Sequence, residues 1–466
     1  MKKKLLFLFF LLIEFGALYA QMPSALANFM SKKELSHASI SIKAIDLNSN
    51  KVIVSHNENT SLTPASNMKI VTTATALDVL GNSFYFETPL FYDGFIQDAT
   101  LNGNLYIKGS GDPTLGSEFI SGDAEFFLKE WSNAINRAGI RRITGNIVAM
   151  DQLFGYEGTY TKWLKEDMGN YYAPGIYGIS VFDNMYRIYL QTSVPNSSAT
   201  VLYTKPDVYN LKISNDLEVS GDSSDNASIF GVPFSDNVRL CGAVPANQST
   251  YILKGSIPDP GLFLARYFRD YLQKNGITTE GVAATYRLNP AAQTTENLIS
   301  TLRSVDLASI CKVINTESNN LYAEYLFKVL TILNSIDIKE YWKKKGIDSD
   351  ALFMCDGSGL SPQNAVSTGF LIDLLVYMDK HTENSDVFYK SLPIAGRSGT
   401  VASFLRNSHL TGKARLKSGS ISNVHSYSGY IENNGKRYAV ALIINNFKGK
   451  RSDLRKEIEQ LFNGIF

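Results

Sequence analysis

The sequence predicts an α/β (α+β) fold in which both ends of the chain build one domain and the middle of the chain is inserted into it. Three observations predict this arrangement. A strand hairpin and a helix follow one another near the N-terminus, and three strands and a helix end the 466-residue chain. Between about residues 84 and 287, short strand-like segments recur between Gly, Asn, Asp, Ser and Pro, which is typical of β-rich modules.

These patterns also predict the domain boundaries. Residues 21–88 and 286–466 are expected to form the α/β domain, and residues 89–285 an inserted β-rich region of two subdomains. The chain is longer than one hydrophobic core usually serves, so more than one domain is expected.

Residues 1–20 have the pattern of a signal peptide. Lysines at positions 2–4 precede an apolar run, and the small residue Ala20 allows cleavage after it. The alternative is a retained membrane anchor. Because the run is shorter than the ~20 apolar residues of a spanning helix and contains Glu14, we expect cleavage after about Ala20 and export.

The first folded elements are a hairpin and a helix. In ASISIKAIDLNSNKVIVSH, apolar and polar residues alternate on both sides of a turn at residues 48–50. LTPASNMKIVTTATAL then predicts a helix, since Ile70, Ala74 and Leu77 have helical spacing. Ser66 is expected in the first turn of this helix, where free backbone N–H groups and the positive end of the helix dipole lie.

Near the end of the inserted region, IPDPGLFLARYFRDYLQKNGI predicts one helix. Helices dominate from about Asn289 onwards, where the amphipathic segments STLRSVDLASICKVIN and SNNLYAEYLFKVLTIL predict two more. ARLKSGSISNVHSYSGYIENNGKRYAVALIINNF predicts three antiparallel strands, and SDLRKEIEQLFNGIF predicts a final amphipathic helix.

Composition and motifs exclude several functional classes. The formal net charge is +1 and basic runs beyond the N-terminus are short, so binding to nucleic acid is not expected. Cys241, Cys311 and Cys355 lack metal-ligand spacing, and we expect buried free thiols, although this number still allows one disulfide. No Gly-x-Ser-x-Gly elbow, His-Glu-x-x-His helix, Walker loop or dinucleotide-binding fingerprint is present, so we expect no metal and no cofactor.

Ser66 and Lys69 form a Ser-x-x-Lys pair within LTPASNMK. Positions three apart share a helix face, and a lysine among cationic and polar groups can lose its proton and then accept that of a serine. The pair alone decides nothing, because Ser309 and Lys312 repeat it. Ser-x-x-Lys carries meaning together with Ser-x-Asn and Lys-[Ser/Thr]-Gly, the signature of penicillin-binding proteins and class A β-lactamases.

The other two motifs, Ser-x-Asn and Lys-[Ser/Thr]-Gly, must follow Ser66 in the chain, and this order helps to select the relevant copy of Ser-x-Asn. Lys417-Ser418-Gly419 is the single Lys-[Ser/Thr]-Gly and lies on a predicted strand, whereas Ser-x-Asn begins at Ser55, Ser224, Ser235 and Ser318. The first copy precedes Ser66, and the next two lie in the β-rich region. Ser318 opens a predicted helix of the domain that carries Lys417, so we select Ser318 and Asn320.

The sequence resembles the S13 D-alanyl-D-alanine carboxypeptidase/endopeptidases, the class C low-molecular-mass penicillin-binding proteins of the penicillin-binding protein 4 type. The resemblance covers nearly the whole chain after residue 20. It depends on these segments in family order: LTPASNMKIVTTATAL, LYIKGSGDPTL, YYAP, IPDP, SNNLYAEYL, DGSGLS, LPIAGRSGT and KARLKSGSI. It implies a β-lactamase/transpeptidase-like catalytic domain with inserted β-rich subdomains, in the periplasm.

The resemblance also implies the roles of the site residues. Ser66 would attack the carbonyl of the penultimate D-alanine, with Lys69 as the base. Ser318 and Lys417 would relay the proton to the leaving amine, and Asn320 would orient the substrate amide and Lys69. The substrate-binding residues would be Ser418 and Gly419, beside the terminal carboxylate, Ser420, whose N–H joins that of Ser66 in the oxyanion hole, and Asp167, near a substrate ammonium.

Other positions receive weaker assignments or depart from the family. Asp167 could equally be a solvated loop charge, and Asp112 and Asp356 are expected to brace turns. Lys-Ser-Gly stands where Lys-Thr-Gly is commoner, which keeps the hydroxyl. Pro362 stands after DGSGLS where the family often has arginine, so the sequence does not indicate how a charged peptide end is held.

The expected function is therefore serine-type D-Ala-D-Ala carboxypeptidase activity, and DD-endopeptidase activity as a second reaction, on peptidoglycan stem peptides. The expected partners are these peptides and β-lactams, and peripheral membrane contact is compatible with export. The alternatives are a β-lactamase, a non-catalytic cell-wall-binding protein and a D-amino-acid esterase or amidase. The oligomeric state is not predicted.

Overall fold

The computed structural model describes residues 23–120, 122–222, 225–288 and 296–466. The predicted signal peptide lies outside these residues. Within the described ranges, no helix combines the length and the apolar character that crossing a membrane requires.

Strands make up most of the inserted region and the centre of the α/β domain. Their bounds are β1 Ser39–Asp46, β2 Val52–His56, β3 Glu87–Tyr92, β4 Phe95–Gln97, β5 Thr100–Asn102, β6 Leu105–Lys108, β7 Arg142–Ile143, β8 Ile147–Met150, β9 Met185–Gln191, β10 Thr200–Lys205, β11 Lys212–Ser220, β12 Ser228–Phe230, β13 Asn237–Pro245, β14 Tyr251–Ser256, β15 Thr278–Thr279, β16 Ala283–Thr285, β17 Asn297–Arg303, β18 Ala414–Ile421, β19 Val424–Asn433 and β20 Lys436–Asn445.

The α-helices lie mostly in the α/β domain. Their bounds are α1 Ser24–Met30, α2 Met68–Leu80, α3 Phe126–Arg137, α4 Pro260–Lys274, α5 Leu307–Glu317, α6 Asn320–Lys328, α7 Ile338–Lys344, α8 Thr368–Lys380, α9 Ser385–Ser391 and α10 Arg451–Ile465. A single π-helical turn, Val329–Leu333, continues α6.

The two ends of the chain meet in one antiparallel sheet of order β18-β19-β20-β1-β2. Strand β20 explains why this sheet is buried on both faces. Ala439, Ala441 and Ile443 belong to the core of the helical layer, whereas Val440, Leu442 and Ile444 alternate with them and pack in the cluster that includes α1 and α10. The uninterrupted apolar run of β20 follows from this double cover. The mixed α/β architecture agrees with the predicted fold class.

Within the described residues, four further sheets are built mainly from strands of the inserted region. Their orders are β10-β9-β14, β11-β13-β12, β15-β7-β5-β4 and β16-β8-β6-β3-β17. Strand β17 follows the insertion, yet it pairs with β3, with Arg303 opposite Glu87. Both connections to the α/β domain therefore leave from one sheet. The predicted boundaries at residues 88 and 286 stay a prediction.

Two details of the predicted elements are wrong. Residues 300–303, read as the start of an amphipathic helix, belong to β17 because they pair with β3; helix α5 starts only after Asp306, whose carboxylate accepts the Ser309 N–H at 2.9 Å. The cysteines are free as expected, but only Cys311 is buried, whereas Cys241 and Cys355 are partly exposed.

Candidate active site

Ser66 lies on a short turn that the sheet holds in place. The turn is a 3-10 helix, Ala65–Asn67, so Ser66 precedes α2 by two residues rather than lying inside its first α-helical turn. Ala65 has a φ of 49°, in the left-handed region that is strained for a residue with a Cβ. Such a conformation persists only where surrounding contacts fix it.

The buried side chain of Asn67 supplies those contacts. Its Nδ2 donates to Ser426 Oγ at 2.5 Å, and its Oδ1 accepts the hydroxyl of Ser428, both on β19. Ser426 Oγ in turn donates to the carbonyl of Pro64 at 2.6 Å. The turn that carries Ser66 is therefore fastened to the central sheet on both sides of Ser66.

Gly419 lets strand β18 approach the same turn. A Cβ at this position would lie 2.9 Å from the backbone nitrogen of Ser66 and 2.5 Å from the carbonyl oxygen of Pro64. No other residue type fits at this distance without displacing the turn. The glycine of Lys417-Ser418-Gly419 thus brings the backbone of β18 beside Ser66.

Lys69 contacts three oxygen atoms from inside the protein. Its Nζ lies 2.9 Å from Ser66 Oγ, 2.6 Å from Asn320 Oδ1 and 2.7 Å from the carbonyl oxygen of Ser358. The side chain is fully buried. Burial lowers the pKa of Lys69 to about 7, against the opposing effect of the carboxylates of Glu324 and Asp356. A substantial fraction of Lys69 is therefore neutral near pH 7 and can accept a proton from Ser66.

A second lysine reaches the same region from β18. Lys417 Nζ donates to Ser318 Oγ at 2.9 Å and to the carbonyl oxygen of Ser418 at 2.7 Å. It is also fully buried, and burial together with the charge of Lys69 holds its pKa well below the usual value. Ser318 lies in the connection between α5 and α6 with a φ of 58°, which turns the chain between the two helices.

Asn320 joins the lysine network to the inserted region. Its Oδ1 accepts from Lys69, and its Nδ2 donates to the carbonyl oxygen of Tyr172 at 2.7 Å. Because both ends of the amide are engaged, the orientation of Asn320 is fixed by two different segments.

The serines of β18 have partners of their own. Ser418 Oγ lies 2.8 Å from Thr400 Oγ1, and Ser420 Oγ lies 2.7 Å from His425 Nδ1. His425 is buried, and burial and the cations Arg451 and Arg455 lower its pKa to about 4. It is therefore neutral at pH 7 and serves Ser420 as a fixed hydrogen-bond partner.

A cleft of about 780 Å³ collects most of the predicted residues. Ser66, Ser318, Asn320, Ser420 and Asp167 line it. Asp167 accepts the hydroxyl of Tyr172 at 3.2 Å, and burial raises the pKa of its carboxyl. The second Ser-x-x-Lys pair, Ser309 and Lys312, does not line this cleft. The backbone N–H of Ser309 donates to the Asp306 carboxylate in the first turn of α5, and Lys312 is exposed.

Several contacts of the site were not predicted from the sequence. They involve Asn67, Tyr172, Glu324, Ser358, Thr400 and His425. Glu324 carried a signal, because it is an acidic residue within the apolar helix SNNLYAEYL, and it is fully buried. Asn67, Tyr172 and Ser358 are common residues whose partners lie far away in the chain. His425 and Thr400 contact serines of β18 that are nearer in the chain, but no motif marks either residue.

Turn bracing by two acidic residues was predicted and is confirmed. Asp112 accepts from the N–H and the hydroxyl of Thr114 at 2.8 and 2.6 Å. Asp356 accepts the N–H groups of Gly359 and Ser361 at 2.7 and 2.6 Å. Within the described ranges, no group of three or more His, Cys, Asp or Glu side chains is arranged to hold a metal ion.

Comparisons with known proteins agree with this architecture. A curated relative, the D-alanyl-D-alanine carboxypeptidase of Actinomadura sp. (strain R39), is 25% identical over 461 residues, covering 93% of this chain and 82% of that protein. The crystal structure of penicillin binding protein 4 from Haemophilus influenzae superposes with a TM-score of 0.79 at 22% identity, covering 94% of this chain and 98% of that one. The same protein in complex with a novel β-lactam gives 0.75 at 23%, with the same coverage of both chains.

These structures share the fold, which confirms the predicted fold class. The sequence profile of the D-Ala-D-Ala carboxypeptidase 3 (S13) family matches residues 22–463. The chain therefore belongs to the S13 family of D-Ala-D-Ala carboxypeptidases, the family and enzyme class that its ordered motifs predict.

Proposed function

We propose that this protein is a serine D-alanyl-D-alanine carboxypeptidase that acts on peptidoglycan stem peptides through an acyl-enzyme on Ser66. The observation that carries the proposal is the position of Lys69: a buried lysine with a pKa near 7 whose Nζ lies 2.9 Å from the Ser66 hydroxyl. A lysine on a solvated helix face would keep its ordinary pKa and could not act as a base at neutral pH.

The acylation step follows from the contacts of Ser66. Neutral Lys69 takes the hydroxyl proton while Ser66 Oγ bonds to the carbonyl carbon of the penultimate D-alanine. The backbone N–H groups of Ser66 and Ser420 would stabilise the oxyanion. When the C–N bond breaks, the terminal D-alanine leaves as the amine after receiving a proton.

The second lysine suits delivery of that proton. Lys417 and Ser318 are hydrogen-bonded at 2.9 Å, and Ser318 lines the cleft in which the leaving amine would form. Ser318 would pass its hydroxyl proton to the amine and regain one through Lys417, so that the proton that Lys69 took from Ser66 is relayed to the leaving group and Ser318 stays neutral. Water then attacks the ester, which releases the shortened peptide and returns the proton to Ser66.

Ser418 and Asp167 receive substrate-binding roles in this proposal. Ser418 would hydrogen-bond the terminal carboxylate with the help of Lys417, from a strand at the edge of its sheet. Asp167, at the cleft wall, would meet an ammonium of the stem peptide. A protein that only bound the cell wall would have no need of the buried Lys69 and Lys417.

β-Lactams are proposed to acylate Ser66 as substrate mimics. The penicillin binding protein 4 of Haemophilus influenzae was solved in complex with one, which supports this. For the location we propose export to the periplasm, because three lysines and an apolar run begin the sequence and Ala20 offers a cleavage site.

The rate of acylation by penicillin is expected to rise with pH through about 7, the pKa to which burial lowers Lys69. Below that pH, Lys69 is protonated and cannot take the Ser66 proton; above it, the neutral base predominates. The second-order rate constant, measured from about pH 5 to about pH 9, should therefore show an acid limb. A rate that stays constant across this range would contradict the assignment of Lys69 as the base.

Cross-linked muropeptides offer the test of the function. Incubation of the purified mature chain with them is expected to release free D-alanine from pentapeptide ends, detected by mass analysis. Conversion of dimers into monomers would add endopeptidase activity. Rapid turnover of penicillin without D-alanine release would favour a β-lactamase instead, and binding without any product would favour a wall-binding protein.

A further inference from the structure

The three-stranded sheet β10-β9-β14 presents two cross-strand rows on its exposed face. The register places Lys254, Arg187 and Lys205 opposite one another in one row. Two residues further along, Ile252, Tyr189 and Tyr203 form the other row. We call these six residues the exposed sheet face. The intervening side chains, Ile188 and Leu253, are buried beneath it, as expected for alternation along strands.

The apolar row is unusually open to solvent. Tyr203 is 55% exposed and Ile252 is 43% exposed. The rings of Tyr189 and Tyr203 stack with their centroids 4.5 Å apart and their planes at 18°. Because the two rings face each other, they present to solvent their edges and the side of Tyr203 that is turned away from Tyr189, at the outer strand of the sheet. This apolar row, called the platform below, is the kind of exposed patch that marks an interaction site.

The basic row connects this platform to the cleft. Lys254 lines the cleft and lies 5.3 Å from the ring centroid of Tyr171, which also lines it. Glu118, at the cleft wall, forms ion pairs with both Lys254 and Arg187. The platform begins one strand repeat beyond these cations, roughly 7 Å along the strand. The exposed sheet face is therefore a continuation of the cleft wall.

We propose that the exposed sheet face binds the glycan strand of peptidoglycan while a stem peptide occupies the cleft. This inference depends on the proposed function, since it assumes that the cleft receives such a peptide. In the cell wall, every stem peptide is attached to a polysaccharide. A surface that continues the cleft wall meets that polysaccharide as soon as the peptide enters.

The chemistry of the face fits a sugar chain. The apolar C–H face of a pyranose ring stacks on a flat aromatic ring, and the neighbouring ammonium and guanidinium groups donate hydrogen bonds to hydroxyl and acetamido oxygens. A platform built from tyrosines flanked by cations is too polar to resemble the core of a permanent protein interface, where charged residues are depleted.

The test compares insoluble peptidoglycan with a short substrate. The Tyr189→Ala/Tyr203→Ala variant is expected to bind purified insoluble peptidoglycan about fivefold to tenfold more weakly than the wild type, since two stacking contacts are lost. Its kcat/KM for D-alanine release from a short acylated D-Ala-D-Ala peptide, and its rate of acylation by penicillin, should stay within about twofold of wild type. Phe95→Ala, which removes a 58% exposed aromatic residue from strand β4 of another sheet, is the matched control.

The outcomes distinguish loss of a glycan contact from misfolding, from a different occupant of the exposed sheet face and from failure of the proposed function. Unchanged binding of the double variant to peptidoglycan would overturn the inference. If the double variant loses activity on the short peptide as well, Tyr203→Ala alone decides, because that side chain is largely exposed and its loss leaves the core intact. Soluble glycan strands freed of peptides should compete for binding; failure to compete would overturn the glycan as the occupant. A wild-type protein inactive on the short peptide and on penicillin would instead contradict the proposed function.

Discussion

Ser66→Ala is expected to abolish labelling by a fluorescent penicillin, whereas Ser309→Ala is expected to label like the wild type. Both serines precede a lysine by three positions. The two variants therefore remove the same element of local sequence pattern, and they differ only in the structure around each serine. Of these two serines, only Ser66 has its Oγ 2.9 Å from the Nζ of a buried lysine, whereas Lys312 is exposed. Removal of the nucleophile should lower the acylation rate by about 10⁴-fold or more, the scale of such losses in serine hydrolases.

The measurement is the intensity of the labelled band and the rate at which it appears, with thermal unfolding as a check of the fold. Ser66 accepts a hydrogen bond from Lys69, and its truncation removes little buried surface, so the melting temperature should change little. Labelling that persists in Ser66→Ala would show that another nucleophile reacts. Loss of labelling in Ser309→Ala, with its fold intact, would contradict the choice between the two copies.

Helices and strands were predictable from the sequence where the spacing of apolar residues shows which side of the element is buried and where glycine or proline marks its end. The three C-terminal strands, the helix after Asp259 and the terminal helix α10 were found as predicted. Ser300 to Arg303 were misread because their spacing also fits a helix, and only the partner strand β3, about two hundred residues earlier in the chain, decides between the two. Pairing over such a distance leaves no local signal in the sequence.

The site was predictable in its motif residues and not in the contacts that hold them. Lys69 could be selected because three short motifs occur in a defined order. Its burial and its contact with the Ser358 carbonyl depend on how helix α2, helix α6 and the turn at residues 356–361 pack together. Asn67 illustrates the same point: it lies between the two motif residues, yet its role comes from serines on β19.

Glu324 acts on Lys69 through the backbone of the turn at residues 356–361. Its carboxylate accepts the N–H of Gly357 at 3.0 Å and that of Ser358 at 2.7 Å. The Ser358 carbonyl then accepts from Lys69 Nζ at 2.7 Å. The buried carboxylate thereby fixes the carbonyl that holds the lysine within reach of Ser66. Glu324 touches neither the nucleophile nor the cleft, so it is a positioning residue.

Glu324→Gln is expected to lower the rate of acylation by penicillin about 10- to 100-fold, the range that small misplacements of catalytic groups produce. A glutamine amide offers one oxygen, so one of the two backbone N–H groups would lose its buried acceptor, at a cost of about 1–3 kcal/mol. Burial raises the pKa of Glu324 itself to about 7, so its carboxylate is ionised in the upper part of the pH–rate profile. Where it is ionised, its negative charge raises the pKa of Lys69, and Glu324→Gln should therefore shift the acid limb to lower pH.

Two control variants, together with the melting temperature, the acylation rate and the position of the acid limb, separate a positioning role of Glu324 from a general loss of stability. Glu324→Asp keeps the charge and should retain the acid limb near its wild-type position, while Glu280→Gln removes an exposed carboxylate paired with Arg142 and should behave like the wild type. If Glu324→Gln only lowered the melting temperature, with an unchanged acylation rate and acid limb, Glu324 would be structural. If the acid limb moved to higher pH, the carboxylate would be destabilising the protonated lysine, which is opposite to the effect of a nearby negative charge. A positioning role of Glu324 requires both effects in Glu324→Gln: an acid limb at lower pH, because a negative charge near Lys69 is lost, and slower acylation, because the turn at residues 356–361 no longer holds Lys69 in place.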